Sequence, residues 1–333
     1  MEEYEIEQIK ETLEQNGYEY KEFLGRGSFA DVLLCQSKQN HLLFAIKKSL
    51  KLQVTEEEYK NLITLSHPYI VNLYGSFDND DEQYLVMEYC PNGTIKQKGK
   101  LSYEKFVYYS KQILEAVAYC HSNKIAHRDI KPENIFIGQY DHVKLADFGM
   151  AKKFENNEKT NEKCGSFMFL SPEMFQHHEI CPFKADIWAL GVTFFNMATG
   201  TFPFKNKSRD GYKEMVVNGE IDFNKYDIHP RIKSLLARML TKNSEHRLSA
   251  EKLLEMPIFS KNTKLPLLTI DKNMNNFGGY RTKSNNCAIS AMRNAILDDK
   301  QKMNIYAHIH TYRGINPCSS FKRANRFQPV KTF

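Results

Sequence analysis

The sequence predicts an α+β fold in two lobes of different composition: a smaller lobe rich in β-strands, then a larger and mainly helical one. Two observations support this class. Between residues 18 and 90, short apolar runs alternate with breaks that contain glycine or asparagine, which is typical of strands joined by turns. From Tyr103 onward the apolar residues recur at helical spacing, as in EKFVYYSKQILEAVAYCH. Because the strands come first and the helices later, a regular alternation of strands and helices is excluded.

The first elements follow in order along the chain. Residues 1–17 predict a short acidic helix, which Asn16-Gly17 ends. Five strands are then predicted, at YEYKEFL, DVLLCQS, LLFAIKKSL, IVNLYGSF and QYLVMEYC. Between the third and the fourth, residues 55–65 predict a helix that opens on a capping box.

Charge divides the chain into two parts. Residues 262–333 carry 12 lysine and arginine residues but only 3 aspartate and glutamate residues, a net charge of +9, whereas the rest of the chain has a net charge of −3. We therefore expect a basic, partly disordered tail over residues 261–333 that offers a surface to a regulatory partner. Its aromatic residues do not alternate with the charges as in single-strand nucleic-acid binders, so no specific nucleic-acid partner is expected.

The cysteines and the hydropathy of the sequence indicate in which cellular compartment the protein is expected. The seven cysteines form no CxxC pair, which argues against a zinc site and fits a reducing environment. The acidic start lacks the apolar segment of a secretory signal, and no apolar run is long enough to form a transmembrane helix. We therefore expect an intracellular protein, cytoplasmic or nuclear.

A glycine-rich stretch and a lysine inside a strand are the first candidate functional features. Gly25 and Gly27 in LGRGSFADV would let backbone N–H groups approach phosphates, although glycine-rich hairpins are common for other reasons. Lys47 in FAIKK is either a cation for nucleotide phosphates or an edge-strand lysine that extends its amine to solvent. If it is buried it needs a carboxylate partner, for which Glu58 is the candidate.

Two later segments gather polar residues between apolar runs. In HRDIKPEN, Asp129 is suited to orient a hydroxyl nucleophile, Lys131 to neutralise a phosphoryl group, and Asn134 to bind a metal ion. In KLADFG, Asp147 ends an apolar strand and would be a second oxygen ligand. The alternatives are a polar turn held by its own hydrogen bonds and a simple strand cap.

Together these motifs resemble the eukaryotic protein kinase family from about Tyr18 to Ser260, because their order and spacing match its signature set. CGSFMFLSPE (164–173), DIWALG (186–191) and HRLSA (246–250) extend the resemblance. It implies a bilobal kinase domain over residues 18–260, with an N-lobe of about 18–88 that holds one αC helix and a C-lobe of about 92–260. Lys131 and Ser166 resemble the serine/threonine branch, and the closest groups are the Aurora and the calmodulin-dependent or AMP-activated kinases.

The resemblance also implies roles for individual residues in transfer of the ATP γ-phosphoryl group to protein serine or threonine hydroxyls. Catalysis would fall to Asp129, Lys131 and Lys47, and Mg²⁺ binding to Asn134 and Asp147. Nucleotide binding would involve Leu24, Gly25, Gly27, Val32, Ala45, Lys47, Glu58, Met87, Glu88, Cys90 and Phe136. Regulation would involve Arg128, Lys152, Thr160, Glu162 and Ser166. Further implied contacts are a Glu173–Arg247 pair and a stack of Leu62, Leu73, His127 and Phe148 with Asp186 beneath His127.

Three departures from the family pattern qualify these roles. Glu58 follows Lys47 by only 11 residues, which implies a shortened helix and leaves Glu57 as an alternative partner. Glu162 occupies a position where many relatives carry a phosphorylated threonine, so we expect it to replace that phosphate in part, with Thr160 as a nearby phosphosite. The alternative is a solvated polar loop.

The third departure concerns substrates and the tail. Basophilic relatives place acidic residues at three positions, and this chain keeps an acid at only one of them, Glu133. Thr94 and Asn196 occupy the other two. We therefore do not expect a strong requirement for arginine before the target serine. The basic stretch IKQKGK would instead favour acidic substrates. In the tail, 289–297 resembles a short amphipathic helix, 281–284 a pseudosubstrate, and 320–326 a contact for acidic partners or lipid, against the simpler reading of a solvated tail.

Other function classes compete with an active kinase. A pseudokinase or ATP-binding scaffold would share the fold, but the catalytic set of Lys47, Asp129, Asn134 and Asp147 is intact. A small-molecule kinase is disfavoured by SPEMF and DIWALG, and a nucleic-acid-binding protein by the acidic body.

Overall fold

The computed structural model describes residues 3–27, 30–51, 62–155, 158–176 and 178–260. Its N-terminal part is a five-stranded antiparallel sheet in the order β1-β2-β3-β5-β4. The strands are β1 (Tyr18–Arg26), β2 (Ala30–Ser37), β3 (Leu43–Leu50), β4 (Leu73–Asn79) and β5 (Glu82–Glu88). They coincide with the five apolar runs of the sequence, because each run is short, rich in β-formers and bounded by turn residues.

The register of this sheet places the predicted nucleotide-binding side chains on one face. Val32 of β2 lies opposite Lys47 of β3, and Lys47 lies opposite Leu85 of β5. Ala45 lies opposite Met87. Residues directly opposite each other in an antiparallel pair share a face, as do residues two apart along one strand. These five side chains therefore point to the same side of the sheet.

The opposite face of the sheet is covered by helix α1 (Glu3–Gln15). Ile9 and Leu13 are buried on its inner side, and Thr12 Oγ1 accepts a hydrogen bond of 2.8 Å from Asn79 Nδ2 on β4. Under the helix, stacked or edge-on ring contacts join Tyr18, Phe44, Phe77 and Tyr84. The helix is thus part of the core of the sheet.

Lys48 connects helix α1 to the strand that carries Lys47. Its Nζ lies 3.6 Å from Glu5 on the helix and 2.7 Å from Glu82 on β5. The side chain is only about one-tenth exposed, so its charge requires these two carboxylates.

The C-terminal part is mainly helical and carries short strand pairs. Its helices are α2 (Ile95–Lys98), α3 (Tyr103–Ser122), α4 (Pro172–Phe175), α5 (Pro182–Thr199), α6 (Arg209–Val217), α7 (Pro230–Met239) and α8 (Ala250–Leu254). Its strands are β6 (Ile125–Ala126), β7 (Ile135–Ile137), β8 (Val143–Leu145) and β9 (Lys152–Lys153), with β6 paired to β9 and β7 to β8. Single 3₁₀ turns occur at Pro132–Asn134, Phe167–Phe169, Phe223–Lys225 and Pro257–Phe259. The predicted order of a sheet followed by helices is confirmed.

Two long helices form the centre of this part. Helix α3 is capped at its N-terminus by Ser102, whose Oγ accepts a hydrogen bond from Lys105 N. Helix α5 starts with Pro182, and the residue that follows its end, Gly200, adopts the left-handed conformation with φ of 75°. Most of α5 is buried, so its sequence is apolar around the whole circumference.

A buried ion pair links α4 to the segment before α8. Arg247 donates hydrogen bonds to both carboxylate oxygens of Glu173, at 2.9 and 3.1 Å, and its guanidinium lies 5.1 Å from the Trp188 ring. Further donations to three backbone carbonyls use the remaining N–H groups. This is the pair that the sequence resemblance implied.

Of the helix predicted over 55–65, the structure describes only the end, and residues 62–64 are helical. Among the described residues, no helix combines the length and the apolar character that crossing a membrane requires.

Candidate active site

Asp129 lies at the centre of a dense hydrogen-bond network in the loop between β6 and β7. Lys131 Nζ donates to its Oδ2 at 2.6 Å, and Asn134 Nδ2 donates to the same oxygen at 3.2 Å and to its backbone carbonyl at 2.9 Å. Asp129 is only 6% exposed. The loop therefore presents a carboxylate in one fixed orientation.

Ser166 reaches the same carboxylate from a distant part of the chain. Its backbone N–H and its hydroxyl donate to Asp129 Oδ1 at 2.9 and 2.8 Å, and its hydroxyl accepts from Lys131 Nζ at 2.9 Å. The preceding Gly165 has φ of 111°, and a Cβ there would lie 2.6 Å from the Arg128 carbonyl oxygen. Only glycine fits, because both the backbone conformation and the space exclude a side chain.

These contacts decide the ionisation of Asp129. Burial acts to raise its pKa, but the hydrogen bonds from Lys131 and Ser166 outweigh it and hold the pKa below the ordinary value of 3.8. The group is thus an ionised hydrogen-bond acceptor at neutral pH.

Asp186 of helix α5 holds the start of this loop. It is 1% exposed, and its carboxylate accepts hydrogen bonds of 2.8 Å from the backbone N–H groups of His127 and Arg128. His121 Nε2 lies 3.0 Å from the same carboxylate. Arg128 has φ of 66°, a strained conformation for a non-glycine residue, which these contacts stabilise.

Lys47 and Asp147 meet across the cleft between the two parts. Lys47 Nζ on β3 donates to Asp147 Oδ1 at 3.2 Å. Asp147 follows β8, and its side chain is about half exposed, whereas that of Lys47 is mostly buried. The backbone N–H of Ala146 donates to the Asn134 carbonyl at 2.9 Å, so Asn134 and Asp147 lie on adjacent chain segments.

Asn134 and Asp147 fit a hard divalent cation. The Asn134 amide nitrogen is turned toward Asp129, which leaves its oxygen as a ligand, and Asp147 adds an exposed carboxylate. Across the described residues, no three His, Cys, Asp or Glu side chains are grouped so that they could hold a metal. A cation that takes a few protein oxygens and completes its shell with phosphate and water suits this donor set.

The hairpin of β1 and β2 carries the glycine-rich stretch. Gly25 pairs with Val32, and the Gly27 N–H donates to the Ala30 carbonyl at 2.7 Å. Arg26 and Asp31 form a two-pronged ion pair at 2.7 and 3.0 Å, which the sequence reasoning did not identify. Leu24 precedes these residues on β1 and is partly exposed at 39%.

The link between the sheet and the helical part is held by a second polar cluster. Glu88 Oε2 accepts hydrogen bonds from Asn72 Nδ2 at 2.7 Å and Asn72 N at 3.3 Å, and Lys144 Nζ lies 2.8 Å away. Asn72 and Lys144 are both buried. Sequence reasoning missed them, and their only signal is a polar residue inside an apolar run.

The remaining predicted nucleotide-binding residues lie near this link. Cys90 follows Glu88 by two positions, and burial raises its pKa to about 12, so the thiol stays protonated. Phe136 on β7 is half-buried, pairs with Lys144 on β8 and packs on the core of the helical part. Glu58 and Glu57 lie outside the described residues.

Two predicted regulatory residues, Arg128 and Lys152, converge on the carboxylate of a third, Glu162. Glu162 Oε2 accepts a hydrogen bond of 2.7 Å from Arg128 Nη1, and Lys152 Nζ lies 3.6 Å away. Arg128 Nε also donates to the Met150 carbonyl at 2.7 Å. The hydrogen bond from Arg128 is the main reason why the pKa of Glu162 lies below its ordinary value.

Thr160 is fixed in the same segment. Its backbone exchanges two hydrogen bonds of 2.9 Å with Ile180, and its hydroxyl accepts one of 3.0 Å from Glu162 N. The hydroxyl thus shapes the turn that leads to Glu162.

Four side chains that the resemblance placed in one stack are all buried in the structure. His127 and Phe148 are in ring contact, with centroids 4.7 Å apart. All four members are at most 4% exposed, namely Leu62, Leu73, His127 and Phe148. Phe148 is thus buried in the core, whereas the side chain of the neighbouring Asp147 is about half exposed and contacts Lys47.

Comparisons with known proteins agree with this geometry. A family model described as protein kinase domain matches residues 18–259. The chain is similar to Aurora kinase A-B of Xenopus laevis, with 31% identity over 258 residues that cover 73% of this chain and 62% of that protein. It is also similar to Protein kinase 2 of Dictyostelium discoideum (31% over 255 residues, 73% and 53%) and to Serine/threonine-protein kinase Aurora-2 of Arabidopsis thaliana (32% over 252 residues, 72% and 88%). The chain thus spans little more than half of the length of the first two relatives.

Proposed function

Because this chain belongs to the protein kinase family, we propose that it transfers the γ-phosphoryl group of ATP to serine and threonine hydroxyl groups of protein substrates. The observation that carries the proposal is the joint placement of Asp129, Lys131, Asn134 and Ser166, with the Lys47–Asp147 contact beside them. Several relatives are named serine/threonine-protein kinases, which supports the same reaction class.

The chemistry follows from the position of Asp129. The substrate hydroxyl oxygen attacks the γ-phosphorus, its proton passes to the Asp129 carboxylate, and the bond from the γ-phosphorus to the bridging oxygen of ADP breaks. Lys131 Nζ, which contacts both Asp129 and Ser166, is placed to neutralise charge on the transferred group. Since Asp129 is a weak base, positioning of the hydroxyl is its larger contribution.

Nucleotide and metal would occupy the cleft face of the sheet. We assign the phosphates to Lys47 and to the backbone of Gly25 and Gly27, and the metal, Mg²⁺, to Asn134 and Asp147. When bound, Mg²⁺ neutralises the charge of the phosphate oxygens. Leu24, Val32, Ala45, Met87, Cys90 and Phe136 would surround the base, with the backbone near Glu88 as its hydrogen-bonding edge. Glu58 remains the predicted partner of Lys47.

We further propose that Glu162 orders the segment that presents Ser166. Its carboxylate is held by Arg128, which adjoins Asp129, and by Lys152. A carboxylate carries one negative charge where a phosphate carries nearly two, so phosphorylation of Thr160 would add to this attraction.

An ATP-binding scaffold without turnover is the second candidate, and the intact set of four polar residues weighs against it. An intracellular place, cytoplasmic or nuclear, is supported by the five cysteines within the described residues, all of which are free thiols.

Incorporation of radiolabelled phosphate from ATP into generic proteins tests the proposal. The full chain should label serine and threonine, and Asp129→Ala should lose about 10²- to 10⁴-fold in rate. Equal labelling by both proteins, at matched purity and thermal stability, would assign the activity to something other than this site. Nucleotide binding without labelling would favour the scaffold.

A further inference from the structure

Two exposed segments beside the Asp129 loop are basic. Residues 91–101 and 200–209 contain no aspartate or glutamate. They carry six cations, Lys96, Lys98, Lys100, Lys205, Lys207 and Arg209, which we call the basic rim. All six side chains are exposed. Because the chain outside the tail has a net charge of −3, this is a local concentration of positive charge.

The first segment is attached to the loop that carries Asp129. Lys96 Nζ lies 3.1 Å from Glu133 Oε1, and Glu133 is two residues beyond Lys131. Thr94 forms a β-bridge with Phe136, which follows the same loop. Glu133, the acid of the loop that contacts this segment, is thus already paired with a lysine of the rim.

The second segment is attached to the turn that follows Ser166. The Arg209 guanidinium lies 4.9 Å from the centre of the Phe167 ring, and Phe202 packs edge-on against Phe169 at 5.9 Å. Lys100 lies against Gly200, so the two segments meet. The rim therefore borders the place where Asp129 and Ser166 would receive a substrate hydroxyl.

The charges of the rim are available to a partner. Among the described residues, no carboxylate lies within ion-pair distance of Lys98, Lys100, Lys205, Lys207 or Arg209. The acids nearest in sequence to these cations are Glu104 for those of the first segment and Asp210 for those of the second. Clustered charge of one sign beside a cleft raises the local concentration of oppositely charged ligands and suppresses like-charged ones.

We propose that the basic rim selects protein substrates that carry acidic residues around the target serine or threonine. The inference rests on the proposed kinase activity. An acidic peptide gains attraction from cations on both segments, whereas a basic peptide meets repulsion and finds Glu133 neutralised by Lys96.

Three peptides that share one serine and differ only in flanking residues test this: aspartate and glutamate, alanine and glutamine, or arginine and lysine. We expect kcat/KM for the acidic peptide to exceed that for the neutral one by about tenfold at low ionic strength, and the ratio to shrink as salt increases. Lys98→Glu/Lys205→Glu changes one residue of each segment and should abolish the preference. Arg231→Glu/Arg238→Glu, with the same change in net charge on α7, should keep it.

The experiment distinguishes a failure of the rim proposal from a failure of the proposed kinase activity. If the basic or the neutral peptide is phosphorylated as well as the acidic one, the rim proposal is wrong and the kinase activity stands. If no peptide is phosphorylated, fluorescence anisotropy measures the binding of the labelled peptides and so tests the rim proposal independently of the kinase activity. Tighter binding of the acidic peptide that Lys98→Glu/Lys205→Glu removes supports it, and equal binding of the peptides overturns it.

Discussion

Glu162 accepts a hydrogen bond of 2.7 Å from Arg128, the residue that precedes Asp129. Ser166, which lies four residues beyond Glu162, donates a hydrogen bond to Asp129. The same two chain segments are thus joined at two places. The arrangement of the Asp129 carboxylate is therefore coupled to the carboxylate of Glu162.

Removal of the charge of Glu162 should weaken the kinase moderately. Since Glu162 is half exposed, its ion pair is worth no more than about 1 kcal/mol, so we expect Glu162→Gln to lower kcat/KM about fivefold. The measurement is peptide phosphorylation by protein treated with phosphatase. Glu158→Gln, in the same segment, is the control. An unchanged rate for Glu162→Gln would mean that the segment is ordered by other contacts.

Loss of the Asp147 carboxylate should impair metal use. We expect Asp147→Asn to lower the rate by about 100-fold or more and to shift the dependence on Mg²⁺ to higher concentration, because one anionic ligand is gone. A Mg²⁺ titration of the phosphorylation rate measures both effects. Asp210→Asn should behave as the parent protein. Normal turnover of Asp147→Asn at low Mg²⁺ would refute the metal assignment.

The pH profile should reflect the partners of Asp129. Its lowered pKa means that the carboxylate stays charged as pH falls, until the pH is below the ordinary value of 3.8. Lys131→Met removes a hydrogen-bond donor while burial persists, so we expect the residual kcat/KM to decline at higher pH than in the parent. Profiles of kcat/KM, with thermal stability recorded at each pH, test this. Superimposable profiles would show that another group controls the acid limb.

The Glu173–Arg247 pair should be a major contributor to stability. Removal of one partner of a buried ion pair costs about 3–5 kcal/mol because the other charge stays buried alone, so Arg247→Met should lower Tm by about 10 °C. Lys252→Met breaks an exposed ion pair of similar length and should change Tm by little. Calorimetry compares the two. Equal small shifts would mean that the buried pair contributes nothing net.

Helix α1 should stabilise the sheet through its apolar side. Leu13 is fully buried, so Leu13→Ala should cost about 2–5 kcal/mol, whereas Glu11→Ala on the exposed side should cost little. Chemical denaturation of both variants measures the difference. If Leu13→Ala were as stable as Glu11→Ala, the helix would not be part of the folded core.

Local patterns predicted the strands and the long helices because each depends on residues close in sequence. The apolar runs around Lys47 and before Asp147 are examples, since their burial follows from hydrophobicity alone. The kinase resemblance then named Asp129, Asn134 and Asp147, although their roles remain predictions until activity is measured. The sequence did not predict which face of the sheet α1 covers. An apolar stripe on a helix indicates that this side is buried but not which element it packs against.

Contacts between distant segments escaped sequence reasoning for the same reason. Asn72 and Lys144 stand in apolar runs, and neither run indicates that both side chains reach Glu88. Lys96 was recognised as part of a basic stretch, but its pairing with Glu133 depends on how α2 folds back on the loop. Ser166 was named for regulation, and its hydrogen bonds to Asp129 became visible only in three dimensions.

The cluster of Asn72, Glu88 and Lys144 also restricts how the cleft can open. Glu88 ends β5 of the sheet, whereas Lys144 belongs to β8 of the helical part, so their contact fastens one end of the connection between them. If this contact persists while the sheet rotates to admit nucleotide or release ADP, Glu88 stays with the helical part, as does Asn92, whose N–H donates to the Ile137 carbonyl. The stretch from Tyr89 to Pro91 is then held at both ends, so the rotation has to pivot at Glu88 or before it.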